Sequence, residues 1–588
     1  MRSWKGRRHL GYLVTIVLLA ISACAPAPNQ SAPSSSGSAP APADVPPQPS
    51  KTLVMMLPSE PDSLGGTALT SRSGSTGGRR RLFNAGLVLR DGQNQPLPYL
   101  AESLPQLNTD TWRVFPDGRM ETEYRLRADA AWHDNAPLTA EDFVFAWQIY
   151  ATPQFGQSSA EPMNMIQDVT APDPRTVLIK WKGAYAEAGV LESVVSTGVP
   201  TGGPTFSPLP KHILSRAYEE QRETFLTNPF WTVDFVGAGP YKLDRWESGA
   251  FIEAVAFDRH VLGRPKIDRI KLTWNGDPNT ILANILSGEA SVVLDNGIGL
   301  SQGQVLKAEW EPRGAGTVRF DPKNWRYIAV QQRPDYASPK AQLDVRVRQA
   351  LAHTVDRQAI NDGLFDGLGV VTDAMMYPTV PYIEELNRAI ARYPLDGRRA
   401  EALMQEAGFR KGADGIFESP SEGRLVFQAK STTSTQNSSE RTIIATQWKA
   451  YGFDVEDASL TPAESQNGET VATFRSMYVG AAPAGTQAIG LFTSGTIPGP
   501  ESRWVGANRG GFSNPEYDRL AAAVQSTLEP NERTRAIIGA ARVITQEVGA
   551  LSLYFNPWVV VFPSSVRGMD HRAADADQTW NVHLWESS

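Results

Sequence analysis

The one thiol of this chain, Cys24, closes the stretch Ile21-Ser22-Ala23-Cys24, where an apolar run gives way to a tract of Pro, Ala and Ser. With no second cysteine in 588 residues, a disulfide within the chain is ruled out. The sulfur reads as an attachment point, the alternative being an ordinary signal peptide that happens to contain a cysteine. The other chemistry-bearing groups follow no catalytic spacing: there is no His-Glu-x-x-His, no Gly-x-Ser-x-Gly and no phosphate-binding loop with its Gly-Lys pair. The seven histidines are scattered singly. His133 in the turn "WHDN" and His353 on a helical face read as structural. Among 63 carboxylates some pair can always be found, so acid-base catalysis by such a pair carries little weight. No catalytic residue, metal site or cofactor is expected.

What surrounds Cys24 decides its role. Arg2, Lys5, Arg7 and Arg8 form a positive start, and the apolar run from about Leu10 to Ile21 is too short for a comfortable membrane-spanning helix, so residues 1–23 read as a signal peptide. The four residues ending at Cys24 resemble the bacterial lipobox, in which the cysteine becomes the first residue and its sulfur carries a diacylglycerol. At about 0.8 kcal/mol per buried CH₂, two or three acyl chains hold a protein on a membrane. Residues 24–50, the lipidated cysteine and a Pro/Ala/Ser linker, have almost no side chains to bury and are expected to be disordered. The linker would reach about 30 Å as a flexible coil and at most about 80 Å when stiff.

The residues after this leash are too many for one hydrophobic core, so two or more lobes are expected. Removing residues 1–23 leaves 52 of the 56 basic residues against 63 acidic ones, a net charge of −11. Such a chain is a poor nucleic-acid binder. No later stretch approaches 18 uninterrupted apolar residues. No long exposed heptad is seen either, so a monomer is expected.

Strand and helix signals alternate along the remainder, which predicts an α/β architecture. "TLVMML" at residues 52–57 reads as a buried strand, and a helix is expected around Arg80 to Leu89. Its three consecutive arginines, Arg79 to Arg81, read as a solvated face. Met120 to Leu126 alternates as a strand, and Thr139 is placed to cap a helix with Glu141 and Asp142 in its first turn. A hairpin turns at Glu247 to Gly249, and Asp277 and Pro278 open a helix that Gly288 ends. "VRVRQALAHTVDRQAINDGLFDGLG" reads as one long helix, and "PEYDRLAAAVQSTLEPNERTRAIIGAARVITQEVGALSLYFNP" as two helices and a strand.

The order of motifs resembles a known family. "YRLRADAAWHDNAPLTAEDFVFAW", "GAGPYKLDRWESG", "ILSGEASVV", "DVRVRQALAHTVDRQAI", "RAEALMQEAGF" and "WKAYGFDVE", spread over about residues 52–565, are similar to blocks of the extracytoplasmic solute-binding proteins of family 5. These are the oligopeptide, dipeptide and nickel receptors of ABC importers. Asn135 stands where the family usually has Gly, and Asn tolerates the left-handed turn. Ala481, in "SMYVGAAPAGTQAIGLF", occupies the place where oligopeptide receptors carry an Asp for the peptide's amino terminus. That ammonium clamp is missing here or sits elsewhere.

The resemblance implies a two-lobed periplasmic-binding-protein-like fold with a hinge and the ligand held between lobes. Lobe one would take residues 51–320, with an extra subdomain near 95–235; lobe two would take 321–550, and residues 551–588 would return to lobe one. It implies a tethered extracytoplasmic receptor, periplasmic or at the cell surface, that passes a peptide or similar solute to permease subunits. The expected ligand contacts are Tyr478, in a block that should face the cleft, Trp504 and Arg503 in the loop "GPESRWVGANRGGF", Gln331 and Gln332 on "AVQQRP", and Asp62. A ligand sensor for a membrane signalling partner and a secreted hydrolase of peptides or glycans are the alternatives.

Overall fold

A computed structural model describes residues 51–67, 69, 77–158, 160–194, 205–574 and 576–587, all within one unit, Ser50–Ser588. The signal segment, Cys24 and the linker lie outside the described residues.

Strand formation begins where expected. Thr52–Leu57 buries Leu53, Met55, Met56 and Leu57 and runs parallel to Arg269–Trp274, with Met55 opposite Leu272. The sheet continues through Phe251–Ala256 to Tyr241–Glu247 on one side and ends at Val292–Val293 on the other. Gly249, at φ 78°, turns the hairpin between Tyr241–Glu247 and Phe251–Ala256. Asp277 caps Pro278–Ser287 by accepting from the Asn279 N–H at 3.1 Å, and Gly288, at φ 80°, ends it.

A four-stranded sheet, in the order Trp112–Val114, Met120–Arg125, Thr176–Trp181, Ile166–Asp173, packs against the helix Ala140–Tyr150. At the start of that helix the Asp142 carboxylate accepts from the Thr139 N–H at 2.8 Å. The preceding turn places Asn135 at φ 72°, the left-handed conformation in which Asn replaces Gly at little cost. His133 is structural: its Nδ1 accepts from the Gly237 N–H at 3.1 Å and its Nε2 faces the Gly239 carbonyl at 3.0 Å. Gly237 has no substitute, because a Cβ there would lie 2.0 Å from the Phe83 carbonyl oxygen. These two sheets share one core, which also takes in Val566, Val582 and Trp585 near the end of the chain. We refer to this region, with the adjoining cluster around Ile281 and Trp310, as the first lobe.

The second lobe is built on a six-stranded sheet in the order Val370–Val371, Ala550–Pro563, Gly316–Val330, Met477–Pro483, Val426–Thr432, Asp454–Leu460. Two strands are long enough to serve both lobes. Gly316–Val330 and Ala550–Pro563 pair from Gly316 and Pro563 to Ala329 and Ala550, with an irregularity between Pro322 and Trp325. On one side of it Val318 and Val561 pack with Met56 and Ile281; on the other Trp325 and Phe555 belong to the second lobe's core. Pro322 faces Pro557 at this break, and neither has an N–H to give to the ladder.

Three expectations are corrected. The helix expected over 80–89 is only Gly77–Arg81, and Val88–Arg90 is a strand. Its arginines are not a solvated face: Arg79, Arg80 and Arg81 are all at most 5% exposed, and Arg79 and Arg81 pair with Asp295, Glu192 and Asp577. The partners of Arg79 and Arg81 lie more than a hundred residues away, so local sequence carries no sign of them. The long helix is two, Val345–Ala352 and Arg357–Phe365, because Asp356 accepts from the Ala359 N–H at 2.9 Å and starts a new helix.

Candidate functional site

Between the lobes lies a cleft of about 1420 Å³. The first lobe contributes the segment 156–164 after the helix Ala140–Tyr150, and the loop around Tyr185, Glu187 and Glu192 that follows Thr176–Trp181. The second contributes the run 483–496, the loop 504–509 and the exposed edge of the helix Pro515–Ser526.

The first wall is held by a chain of ion pairs. Arg81 bridges Glu192 and Asp577, each at 3.3 Å. Arg90 reaches Glu192 at 2.8 Å and Glu187 at 3.5 Å. Glu187 in turn pairs with Arg533 of the helix Pro530–Gln546, which belongs to the second lobe. Nearby the Ala186 N–H donates to the Gln525 carbonyl at 2.8 Å, and Gln525 Nε2 donates to Glu161 Oε1 at 2.7 Å. The lobes are thus tied along one edge of the cleft. Burial, reinforced by neighbouring Glu187, raises the Glu161 carboxyl above the usual range.

The opposite wall is mixed, with Trp504 and Val505 beside polar residues such as Thr486, Ser494 and Arg509. Trp504 lines the cleft from the loop 499–506, where Arg503 and Trp504 both take left-handed backbone, at φ 51° and 62°. Two such residues in succession cost on the order of 1–3 kcal/mol each, a strain offset partly by the bond from the Trp504 N–H to the Gly499 carbonyl at 2.8 Å. Its ring meets Tyr336 edge-on at 6.3 Å. Val505, beside it, is 75% exposed and also lines the cleft.

The residues singled out in the sequence fall in different places. Trp504 is in the cleft wall and Arg503 is exposed next to it, outside the lining. Tyr478 is buried in the strand Met477–Pro483; Arg509, which does line the cleft, lies over its ring at 5.5 Å. Gln331 is fully buried, donating to the carbonyls of Ala472 and Phe474 and accepting from Arg333 Nε at 2.9 Å. Gln332 gives its backbone N–H to the Gly510 carbonyl at 2.7 Å. Asp62 lies 3.9 Å from Arg80, away from the cleft lining. Ala481 pairs with Arg326 across the sheet, and the run after it brings Pro483, Ala484 and Gly485 to the cleft with no carboxylate.

Sequence reasoning missed Arg509, Glu161 and the pair Glu187–Arg533. Arg509 sits in the same glycine-rich loop as Trp504, five positions on, and that shared loop was the available signal. Glu161 and the ion pair join parts of the chain more than 300 residues apart, and no spacing reveals them. Among the described residues no group of three His, Cys, Asp or Glu side chains could hold a metal ion, and no helix is long and apolar enough to cross a membrane.

Residues 100–498 match the model of the bacterial extracellular solute-binding proteins, family 5 Middle. The periplasmic oligopeptide-binding protein OppA of Haemophilus influenzae is 26% identical over 501 residues, covering 81% of this chain and 83% of that one. A Brucella ovis relative, whose name assigns it to ABC-transporter peptide binding, is 25% identical over 320 residues; that match covers 54% of this chain and spans only 55% of the relative's length. In three dimensions the chain is similar to the oligopeptide-binding protein of Thermus thermophilus solved with a pentapeptide, at a TM-score of 0.68 and 23% identity, covering 91% of this chain and 96% of that one. The two-lobed α/β fold is that of a periplasmic binding protein, and the chain belongs to the bacterial extracellular solute-binding proteins of family 5.

Proposed function

We propose that this protein is a tethered extracytoplasmic receptor that captures a peptide or similar solute between its lobes and delivers it to the permease subunits of an ABC importer. The observation that carries the reading is the cleft of about 1420 Å³ bounded by both lobes, one wall charged and the other bearing Trp504 and Val505. A ligand touching both walls stabilises the closed state by contacts it lacks in the open one. The long strands Gly316–Val330 and Ala550–Pro563, broken at Pro322 and Pro557, are suited to act as the hinge. On this reading the lobes divide at that break, close to the expected limits of 320 and 551, and residues 551–556, expected in lobe one, stay with lobe two, where Phe555 packs.

The names of these relatives support peptide capture. Within the cleft, Trp504 and Arg509 are the contacts we assign to the second lobe: a flat apolar face for a peptide backbone and a guanidinium for a carboxylate. The protein acts as a monomer, held to the membrane by lipid on Cys24. Small-angle scattering on addition of a synthetic pentapeptide pool tests the receptor reading. Compaction is expected, with the peptides recovered intact; steady hydrolysis of the pool would replace the receptor with an enzyme.

A further inference from the structure

Five carboxylates and four arginines line the cleft. Arg81, Arg90 and Arg533 are consumed by ion pairs with Glu187, Glu192 and Asp577. Asp518 is occupied as well, accepting from the Ser494 N–H at 2.9 Å and from the Ser494 hydroxyl. Glu161 is the carboxylate left over. Among the described residues it makes no ion pair; it accepts a hydrogen bond from the neutral amide of Gln525 at 2.7 Å, and the nearby Tyr185 hydroxyl also favours its charged form. A carboxylate offers about four lone-pair positions, so a second donor has room.

Beside Glu161 lies Tyr185, which lines the cleft, is 1% exposed and has its hydroxyl next to the Glu161 carboxylate without closing a hydrogen bond of good geometry. A buried phenol oxygen and a half-buried unpaired carboxylate each leave binding capacity unused, at a cost a ligand can relieve. Glu187, close by, repels an anion at this position more than its partner Arg533 attracts one.

We propose that Glu161 and Tyr185 form a cation subsite on the first lobe that takes an ammonium or guanidinium of the bound solute. The inference rests on the receptor reading above and narrows it to solutes with a positive group. It also moves the clamp for that group from the second lobe, where Ala481 stands, to the first. Because Gln525 of the second lobe donates to the same carboxylate, the cation and the closing lobe meet at one residue.

The test uses the full chain, its Glu161→Gln and Tyr185→Phe variants, and three peptides: pentaalanine, N-acetyl-pentaalanine, and N-acetyl-Ala-Ala-Lys-Ala-Ala. Glutamine still accepts from Gln525, so Glu161→Gln removes charge and little else. Calorimetry should show at least tenfold weaker binding of one or both cationic peptides to Glu161→Gln, a several-fold loss with Tyr185→Phe, and no effect of either change on N-acetyl-pentaalanine. A loss confined to pentaalanine identifies a terminal ammonium; one confined to the lysine peptide identifies a side chain. Equal affinities of the three peptides for the unaltered protein, or of Glu161→Gln and the unaltered protein for the cationic ones, overturn the subsite. If no peptide binds, methylammonium decides through the ¹³C carboxyl resonance of Glu161. A saturable shift then keeps the subsite and removes the peptide reading, whereas no shift removes both.

Discussion

Arg533 and Glu187 form an ion pair from one lobe to the other, and the Ala186 N–H donates to the Gln525 carbonyl right beside it. Arg533 is fixed by a bond from its Nε to the Val524 carbonyl at 2.8 Å, so little side-chain freedom is lost in pairing. Both charged groups are roughly a quarter exposed, which limits the pair to about 1 kcal/mol through solvent screening. Glu187→Gln should therefore shift the ligand-free protein toward open conformations, seen as a larger radius of gyration. The difference should shrink in high salt. An unchanged radius at low salt would show that the edge contacts do not set closure.

Trp504 is the aromatic group that the cleft presents from strained backbone. Trp504→Ala should weaken pentapeptide binding by about 1 to 3 kcal/mol, as loss of a buried aromatic contact does. Stability should hardly change, because Ala carries the same left-handed penalty at φ 62° and the ring's main described partner is Tyr336. Calorimetry and a thermal melt separate the two effects. A large fall in melting temperature with unaltered affinity would make Trp504 a packing residue.

Acid should attack the first lobe before the second. Burial holds His133, His260 and His583 neutral, pushing their pKa values down to about 4, 3 and 4. The unfolded chain protonates near 6.5, so below that pH it binds more protons than the folded one. Stability present above pH 6.5 is then lost as pH falls toward 4, by about 1.4 kcal/mol per unit of depression for each group. Hydrogen exchange at pH 5 should rise in Thr52–Leu57 and Tyr241–Glu247 before Met477–Pro483. Replacing His133 by Gln, which can still accept and donate, should flatten the pH dependence; an unchanged slope would assign the acid sensitivity to other groups.

Cys24→Ala should leave the protein uncleaved or release it from the membrane in detergent partitioning. A variant that is correctly processed and still membrane-bound would show that the anchor lies elsewhere.

Local chemistry was legible in the sequence: the strand at Thr52, the caps at Thr139 and Asp277, the Asn135 turn and the hairpin at Gly249 all follow from residue types and short spacings. Trp504 could be found because a tryptophan in a glycine-rich loop has few structural reasons to be there. The ion-pair chain from Asp577 to Arg533 could not, since each link joins side chains distant in sequence. For the same reason Arg79 to Arg81 read as solvated although they are buried. The break at Asp356 lay hidden because the apolar pattern runs on through it, while one side-chain hydrogen bond decides where the helix restarts.

Native mass spectrometry of the purified full chain, presented with a pool of synthetic pentapeptides, tests the central claim most directly. The account predicts one peptide per protein molecule, released on activation at its original mass, with occupancy sharply reduced in Trp504→Ala. A spectrum showing only the unliganded mass at saturating peptide, or only shortened peptides, would contradict it.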